Sequence, residues 1–263
     1  GLGLVFVTRG WRANALKKCI CIAYKTAFSS KNLRVIFQNP DDVATFLDKG
    51  IVSVEKTVLI KGSGVDISAF KPCPEVNGLP LVVLASRMLW AKGVKDFVDS
   101  ARILRNSGVK ARFALVGESD QANPSAVPTA QLQDWKKEGV VEWWGYSSDM
   151  TSVFAQSHIV CLPSTYGEGV PKVLIEAAAS GRAIVTTDAP GCREIVRHGE
   201  NGLLVPVRDS KALAEALKTL IKNPELRARM GARGREISVA EFSEEKVIEE
   251  TLSVYRELLS KKG

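Results

Sequence analysis

Across 263 residues no apolar run approaches the roughly 20 residues of a membrane-spanning helix, and the longest, such as Leu79 to Ala85, are strand-sized. A helical membrane span is excluded. Cysteine is sparse and odd in number, at positions 19, 21, 73, 161 and 192, and no pair has the two-to-four-residue spacing of a zinc knuckle. The simplest expectation is a reduced cytosolic protein whose thiols are mostly small core residues. The three methionines, Met88, Met150 and Met230, leave the start without an initiator, and no charge, apolar core and cleavage pattern marks a signal peptide. The chain is therefore expected to be a piece of a longer one. The two histidines, His158 and His198, lie before a strand and beside Gly199, where they read as packing or surface residues. Solenoid-period repeats are also missing. What remains is ordinary: 45% hydrophobic, 25% charged, 21 Gly and 11 Pro describe a core-forming chain of one or two domains.

Acidic residues are absent from the first 40 positions, which hold Arg9, Arg12, Lys17, Lys18, Lys25, Lys31 and Arg34 and so the whole net charge of +7. Such asymmetry points to a local anionic partner rather than to a generally basic protein. Trp11, Leu16, Cys19, Ile20, Ala23, Tyr24 and Phe28 recur at helical spacing and leave Arg12, Lys17, Lys18 and Lys25 facing outward. Residues 11–34 thus read either as a basic helix lying on an anionic membrane surface or as a core helix with a solvated face. Nucleic acid ranks below both, because no recognition motif with interleaved aromatics accompanies the charge.

Strand-like and helix-like patterns alternate: Leu4 to Val7, a helix to about Ser29, Val35 to Gln38, a helix from Asp41 to Lys49, and Thr57 to Lys61. A Pro- and Gly-rich passage over 71–80 reads as a linker. The alternation then restarts with Leu81 to Ser86, a helix from Lys92 to Asn106, and strands at Ala111 to Val116, Val140 to Trp144, Ile159 to Leu162, Ala183 to Thr186 and Gly202 to Val205. Helices at Ser210 to Lys222, Pro224 to Ser238 and Ser243 to Ser260 close the chain. This order predicts an α/β protein with doubly wound parallel sheets. The expected domains are a partial one over 1–71, a complete one over 72–242, and a last helix, 243–263, returning to the first.

Between Pro163 and Gly181 a strand ends in a Gly-containing loop that opens a helix. Pro171 suits the first helical turn, and the free amides near Gly169 and Val170 form an anion site. Glu168 lies just before that terminus and Glu176 a turn and a half inside it, so two carboxylates flank the expected phosphate position. A nucleotide-sugar has this layout, a diphosphate between a hexose and a ribose whose hydroxyls suit carboxylates. By spacing alone, a helix cap at Glu168 and a solvated residue at Glu176 is the better account. Arg87 and Lys92 bracket another strand-to-helix loop, where two cations can neutralise a diphosphate and its leaving charge. By composition alone they are surface cations. Trp90 between them either contacts the donor or packs on a neighbouring domain.

Pro163-Ser164, Glu168-Gly169, Glu176-Ala177, Gly181, Pro190-Gly191, Glu194 to Val196 and Asn201 to Leu204 together resemble the retaining glycosyltransferases of family four, which have the GT-B fold of two Rossmann-like domains facing across a cleft. The resemblance covers nearly the whole chain and is closest to members acting on lipid-linked sugars in bacterial polysaccharide or glycan assembly. It implies that Glu168 contacts the donor hexose and Glu176 the ribose, with Gly169 and Val170 beside the diphosphate and Arg87 and Lys92 binding it. Glycines at Gly64, in the segment Gly62 to Asp66, and at the strand ends Gly117 and Gly145 are placed along the donor cleft. The family's early N-terminal strands and its catalytic histidine have no counterpart in this sequence.

The resulting expectation is a metal-independent retaining transferase with no resident cofactor. It moves a hexosyl or N-acetylhexosaminyl group from a nucleoside-diphosphate sugar, with UDP expected, to a saccharide or polyprenyl-diphosphate-linked acceptor. Arg87, Lys92 and Glu168 serve the reacting centre, and Gly64, Gly117, Gly145, Gly169, Val170 and Glu176 bind the donor. A cytoplasmic protein, peripheral at the inner face of the membrane, is expected. The rivals are a donor-binding piece that does not transfer and a sugar-nucleotide epimerase.

Overall fold

The computed structural model describes residues 11–120 and 122–260. The strand expected at Leu4 to Val7 lies outside them. The described part opens with helix α1 (Trp11–Ala27), followed by β1 (Val35–Phe37), α2 (Pro40–Asp48) and β2 (Thr57–Leu59). β1 and β2 pair in parallel, Val35 with Thr57 and Phe37 with Leu59. Phe37, Phe46, Ile51 and Val52 form the small core beneath them, with Cys21 and Phe28 of the α1 segment packed against it. Asn39 caps α2 by accepting from the Asp42 amide at 2.7 Å, and Pro40 follows at the first helical position, where a missing N–H costs nothing.

After the linker come β3 (Leu81–Ala85), α3 (Val94–Asn106), β4 (Arg112–Val116), α4 (Thr129–Lys137), β5 (Glu142–Gly145), α5 (Met150–Gln156) and β6 (Ile159–Leu162). α6 (Lys172–Ala179), β7 (Ala183–Thr187), the short α7 (Cys192–Ile195), β8 (Gly202–Val205), α8 (Ser210–Lys222), α9 (Pro224–Glu241) and α10 (Glu244–Ser260) complete the order. β3 to β8 build one parallel sheet in the order β5-β4-β3-β6-β7-β8. Every residue of β3, β6 and β7 is buried, as expected of parallel strands covered on both faces by helices. Asp209 and Asn223 cap α8 and α9 through their side chains, which explains where those helices begin.

This strand order reverses direction between β3 and β6, the point at which ligands bind open α/β sheets. The loops leaving these two strands, 86–92 and 163–171, therefore define where a site should lie. The helix expected from Lys92 instead starts at Val94, after a short 3₁₀ turn at Trp90–Lys92 and a left-handed Gly93.

The chain passes between its two parts twice. Val65 donates to the Phe242 carbonyl and accepts from the Glu244 amide, both at 3.0 Å, so the outgoing and returning segments cross side by side. From that crossing the linker is strapped to the larger part. Arg235 donates to the carbonyls of Ile67 and Phe70, Arg182 to that of Cys73, and Arg227 to both oxygens of Glu75. Val65 itself is buried in the larger core, with Ile67 and Phe70 packed on it. α10 then reaches the smaller part, where Asn32 donates to the Leu258 carbonyl and Arg34 pairs with Glu257.

The cysteines depart from expectation. Only Cys161 and Cys192 are buried, while Cys19 and Cys73 are exposed and Cys21 lies between. Burial in apolar surroundings pushes the Cys161 thiol up and the Cys192 thiol up to about 11.

Candidate functional site

The loops from β3 and β6 are knitted together. Thr165 donates its amide to the Ala91 carbonyl at 2.9 Å, and the Ser164 hydroxyl donates to Glu168 Oε1 at 2.6 Å. Glu168 Oε2 pairs with Lys92 Nζ, and both side chains are largely buried. Lys92 also sits 5.9 Å from the centre of the Tyr166 ring. Two residues 76 apart in sequence thus form one charged unit at the switch point.

Beside it opens a cleft of about 400 Å³, lined among others by Ser86, Arg87, Gly117, Glu118, Tyr146 and Glu176. That volume lies within the range of small-molecule sites. Arg87 is two-thirds exposed and its guanidinium stands 3.8 Å from Asp120. Glu176 is only 13% exposed, with Lys172 at 3.9 Å. Burial raises its carboxyl above the usual carboxylate range, a shift that Lys172 partly offsets. Gly117 donates to the Gly145 carbonyl at 2.7 Å, and a Cβ on it would fall 1.9 Å from the Ser86 carbonyl oxygen, so only glycine lets these strand ends meet.

The expected residues are thus distributed over two adjacent places. Arg87, Gly117 and Glu176 line the cleft, and Gly145 lies directly behind Gly117. Lys92, Glu168, Gly169 and Val170 form the neighbouring loop cluster, where Glu168 N donates to the Pro190 carbonyl at 3.1 Å. Pro171 occupies the cap position of α6 rather than its first turn. Gly64 is not brought to the cleft: a Cβ there would lie 2.8 Å from Glu244 Cα, so its glycine serves the crossing with the returning chain. Trp90 packs edge-on against Trp135 of α4, within the larger part of the chain, with ring centres 6.1 Å apart. His158 is a buried packing residue, Nδ1 accepting from the Leu81 amide and Nε2 facing the Val76 carbonyl, each at 3.0 Å.

Sequence reasoning missed three participants and the role of a fourth. Gln38 and Asn39, at the turn between β1 and α2, reach across to the Glu168 loop, Gln38 Oε1 accepting from the Val170 amide at 3.2 Å and Asn39 Nδ2 donating to the Glu168 carbonyl at 2.9 Å. No local signal in the sequence marks a contact across about 130 residues. Asp120, which faces Arg87, is the third, and Ser164, quoted only as part of the Pro163-Ser164 match, turns out to donate to Glu168. Among the described residues no group of three or more metal-ligating side chains is found.

The profile of the family described as glycosyl transferases group 1 matches residues 79–223, which include the whole β3 to β8 sheet. The N,N'-diacetylbacillosaminyl-diphospho-undecaprenol alpha-1,3-N-acetylgalactosaminyltransferase of Campylobacter jejuni is 30% identical over 97% of this chain and 68% of its own length. The phosphatidyl-myo-inositol mannosyltransferase of Mycobacterium leprae is 28% identical over 73% of this chain and 52% of its own. The chain therefore spans from about half to two-thirds of these relatives. Among solved structures, Anabaena Alr3699/HepE in complex with UDP and glucose is similar with a TM-score of 0.73 at 25% identity, covering 88% of this chain and 66% of that one. Sucrose-phosphate synthase from Thermosynechococcus elongatus shares the fold, with a TM-score of 0.82 at 24% identity over 99% of this chain and 67% of its own.

Proposed function

The chain belongs to the group 1 glycosyl transferases, with the GT-B type of α/β fold, and from that premise we propose that it binds a UDP-sugar in the Arg87–Glu176 cleft and transfers the sugar with retention. The observation that carries this reading is the convergence of Arg87, Gly117 and Glu176 on one cleft at the sheet's switch point, with the Lys92–Glu168 pair beside it. Glu176 receives the ribose hydroxyls and Glu168 the hexose. Arg87, Lys92 and the amides before α6 hold the diphosphate and take up its charge as the bond to the sugar's anomeric carbon breaks. The acceptor hydroxyl attacks that carbon from the same face, and its proton leaves with the diphosphate. No protein side chain becomes bonded to the sugar.

The donor is read as a UDP-linked N-acetylhexosamine and the acceptor as a polyprenyl-diphosphate-linked saccharide. The support is the Campylobacter relative, whose name gives that transfer, and the UDP in the Anabaena structure. A lipid-linked acceptor calls for contact with a membrane surface, read here as the cytoplasmic face, and that contact is assigned to the basic surface of α1. Among the described residues no helix is long and apolar enough to cross a membrane.

Titration calorimetry with UDP and UDP-N-acetylhexosamines tests the donor half. Wild-type chain is expected to bind, with Glu176→Ala and Arg87→Ala each weakening binding about tenfold or more, as loss of a charge-assisted hydrogen bond does. A folded wild type that binds neither nucleotide overturns the assignment. Incubation with a polyprenyl-diphosphate saccharide then separates transfer from donor binding alone, and formation of an epimeric UDP-sugar without acceptor would instead show epimerisation.

A further inference from the structure

The positive features of the donor site are already matched from within the molecule. Arg87 faces Asp120, Lys92 holds Glu168, and the Val170 amide at the start of α6 is taken by Gln38. The third match differs from the others because its acceptor comes from the smaller part of the chain. Gln38 Oε1 lies where a Cβ on Gly169 would come within 2.0 Å of it. Residue 169 is not in the left-handed region, so its backbone does not require glycine, and the missing side chain is what leaves a seat for one oxygen. A neutral amide oxygen fills that seat beside a helix N-terminus that favours anions.

Its neighbour is fixed. Asn39 is fully buried, accepts from the Asp42 amide to cap α2, and donates both to Asp42 Oδ2 and to the Glu168 carbonyl. That residue keeps the turn docked on the donor loop whatever Gln38 does. Gln38 itself is half-buried and has a flexible side chain with one hydrogen bond to the loop.

We propose that Gln38 is an internal stand-in for a donor oxygen, occupying the Gly169–Val170 seat until the nucleotide-sugar enters and then swinging out. The proposal rests on the donor-site reading above and adds a gate to it. Donor binding exchanges one acceptor for another at the Val170 amide, so Gln38 lowers the apparent affinity for the donor. The oxygen it imitates belongs either to the diphosphate or to the sugar.

The test is calorimetric titration of wild type, Gln38→Ala and Gln38→Glu with UDP and with UDP-N-acetylglucosamine or UDP-N-acetylgalactosamine, after thermal melts establish that each variant is folded. Gln38→Ala is expected to bind donor about two- to tenfold more tightly, the worth of one hydrogen bond no longer displaced. Gln38→Glu, a stronger acceptor that also brings negative charge to the seat, is expected to bind more weakly than wild type. A gain shared by UDP and UDP-sugar places a diphosphate oxygen in the seat, and a gain confined to UDP-sugar places a sugar oxygen there. Unchanged or weaker binding by folded Gln38→Ala, with wild type binding normally, overturns the gate alone. Failure of wild type and Gln38→Ala alike to bind any of these nucleotides overturns the donor site and the gate with it.

Discussion

Glu176 stands with little access to water and only a lysine at 3.9 Å for company, so its charge is held at an energetic disadvantage until a ligand arrives. Its carboxyl lies above the ordinary value of 4.5 because burial disfavours the ionised form. An acid raised in this way binds its proton more tightly in the folded than in the unfolded state, so the ionised group at pH 7 opposes folding. Glu176→Gln should therefore unfold at a higher temperature than wild type at pH 7 while binding UDP about tenfold more weakly, since a charge-assisted contact is lost. Thermal melts and calorimetry on the same preparations check both halves. A variant that melts lower, or binds UDP as wild type does, would show that Glu176 is a structural residue. Glu168 is different in kind: with Ser164 and Lys92 both on its oxygens, it is already satisfied, and removing it strands a buried lysine.

At the level of elements, the linker is held by side chains rather than by strand pairing. Arg182, Arg227 and Arg235 bind its carbonyls and Glu75, and His158 joins Val76 to the first residue of β3. Burial lowers the His158 pKa below 6.5, so the folded state prefers the neutral ring while the unfolded chain takes up a proton. Stability is fully present above 6.5 and is lost as pH falls from there toward the folded value. In urea melts the wild type should weaken relative to His158→Gln across that window, with a difference in slope of at most about 1.4 kcal/mol per pH unit, the limit for one proton. Equal slopes would remove His158 from the balance. The strands were legible because β3, β6 and β7 are buried on both faces and appear as continuous apolar runs. α8 and α9 start at Ser210 and Pro224 as the sequence reading has them, and the side chains of Asp209 and Asn223 cap them there. The Glu168 and Glu176 spacing was legible too, yet their different surroundings were not: one pairs with Lys92 76 residues earlier and the other lines the cleft. Cys19 and Cys73 were misread for the same reason, since exposure is set by packing between distant segments.

Over the whole molecule, charge and shape separate. All of the net +7 belongs to the first 40 residues, and the remaining chain balances to zero. α1 turns Cys21 toward the small core, Phe28 just after it does the same, and Tyr24 packs at a tilt against Phe46 with ring centres 5.5 Å apart. That settles half of the sequence expectation, because the helix does have a core face. On another face Lys18, Ile22 and Lys25 line a shallow groove beside Lys49, and Ile22 is 64% exposed. An apolar residue ringed by lysines suits the headgroup region of an anionic bilayer, where each basic side chain contributes about 1 kcal/mol. Sedimentation with vesicles of phosphatidylcholine alone and with added phosphatidylglycerol checks this arrangement. Binding is expected only with the anionic lipid and should weaken as salt rises, since surface charges are screened. Replacing Lys18 and Lys25 by glutamine should reduce it by about thirtyfold, the equivalent of two such contributions, and leave UDP affinity unchanged because neither residue lines the donor cleft. Equal binding to neutral and anionic vesicles, or no effect of the double substitution, would return α1 to the role of a core helix with a solvated face.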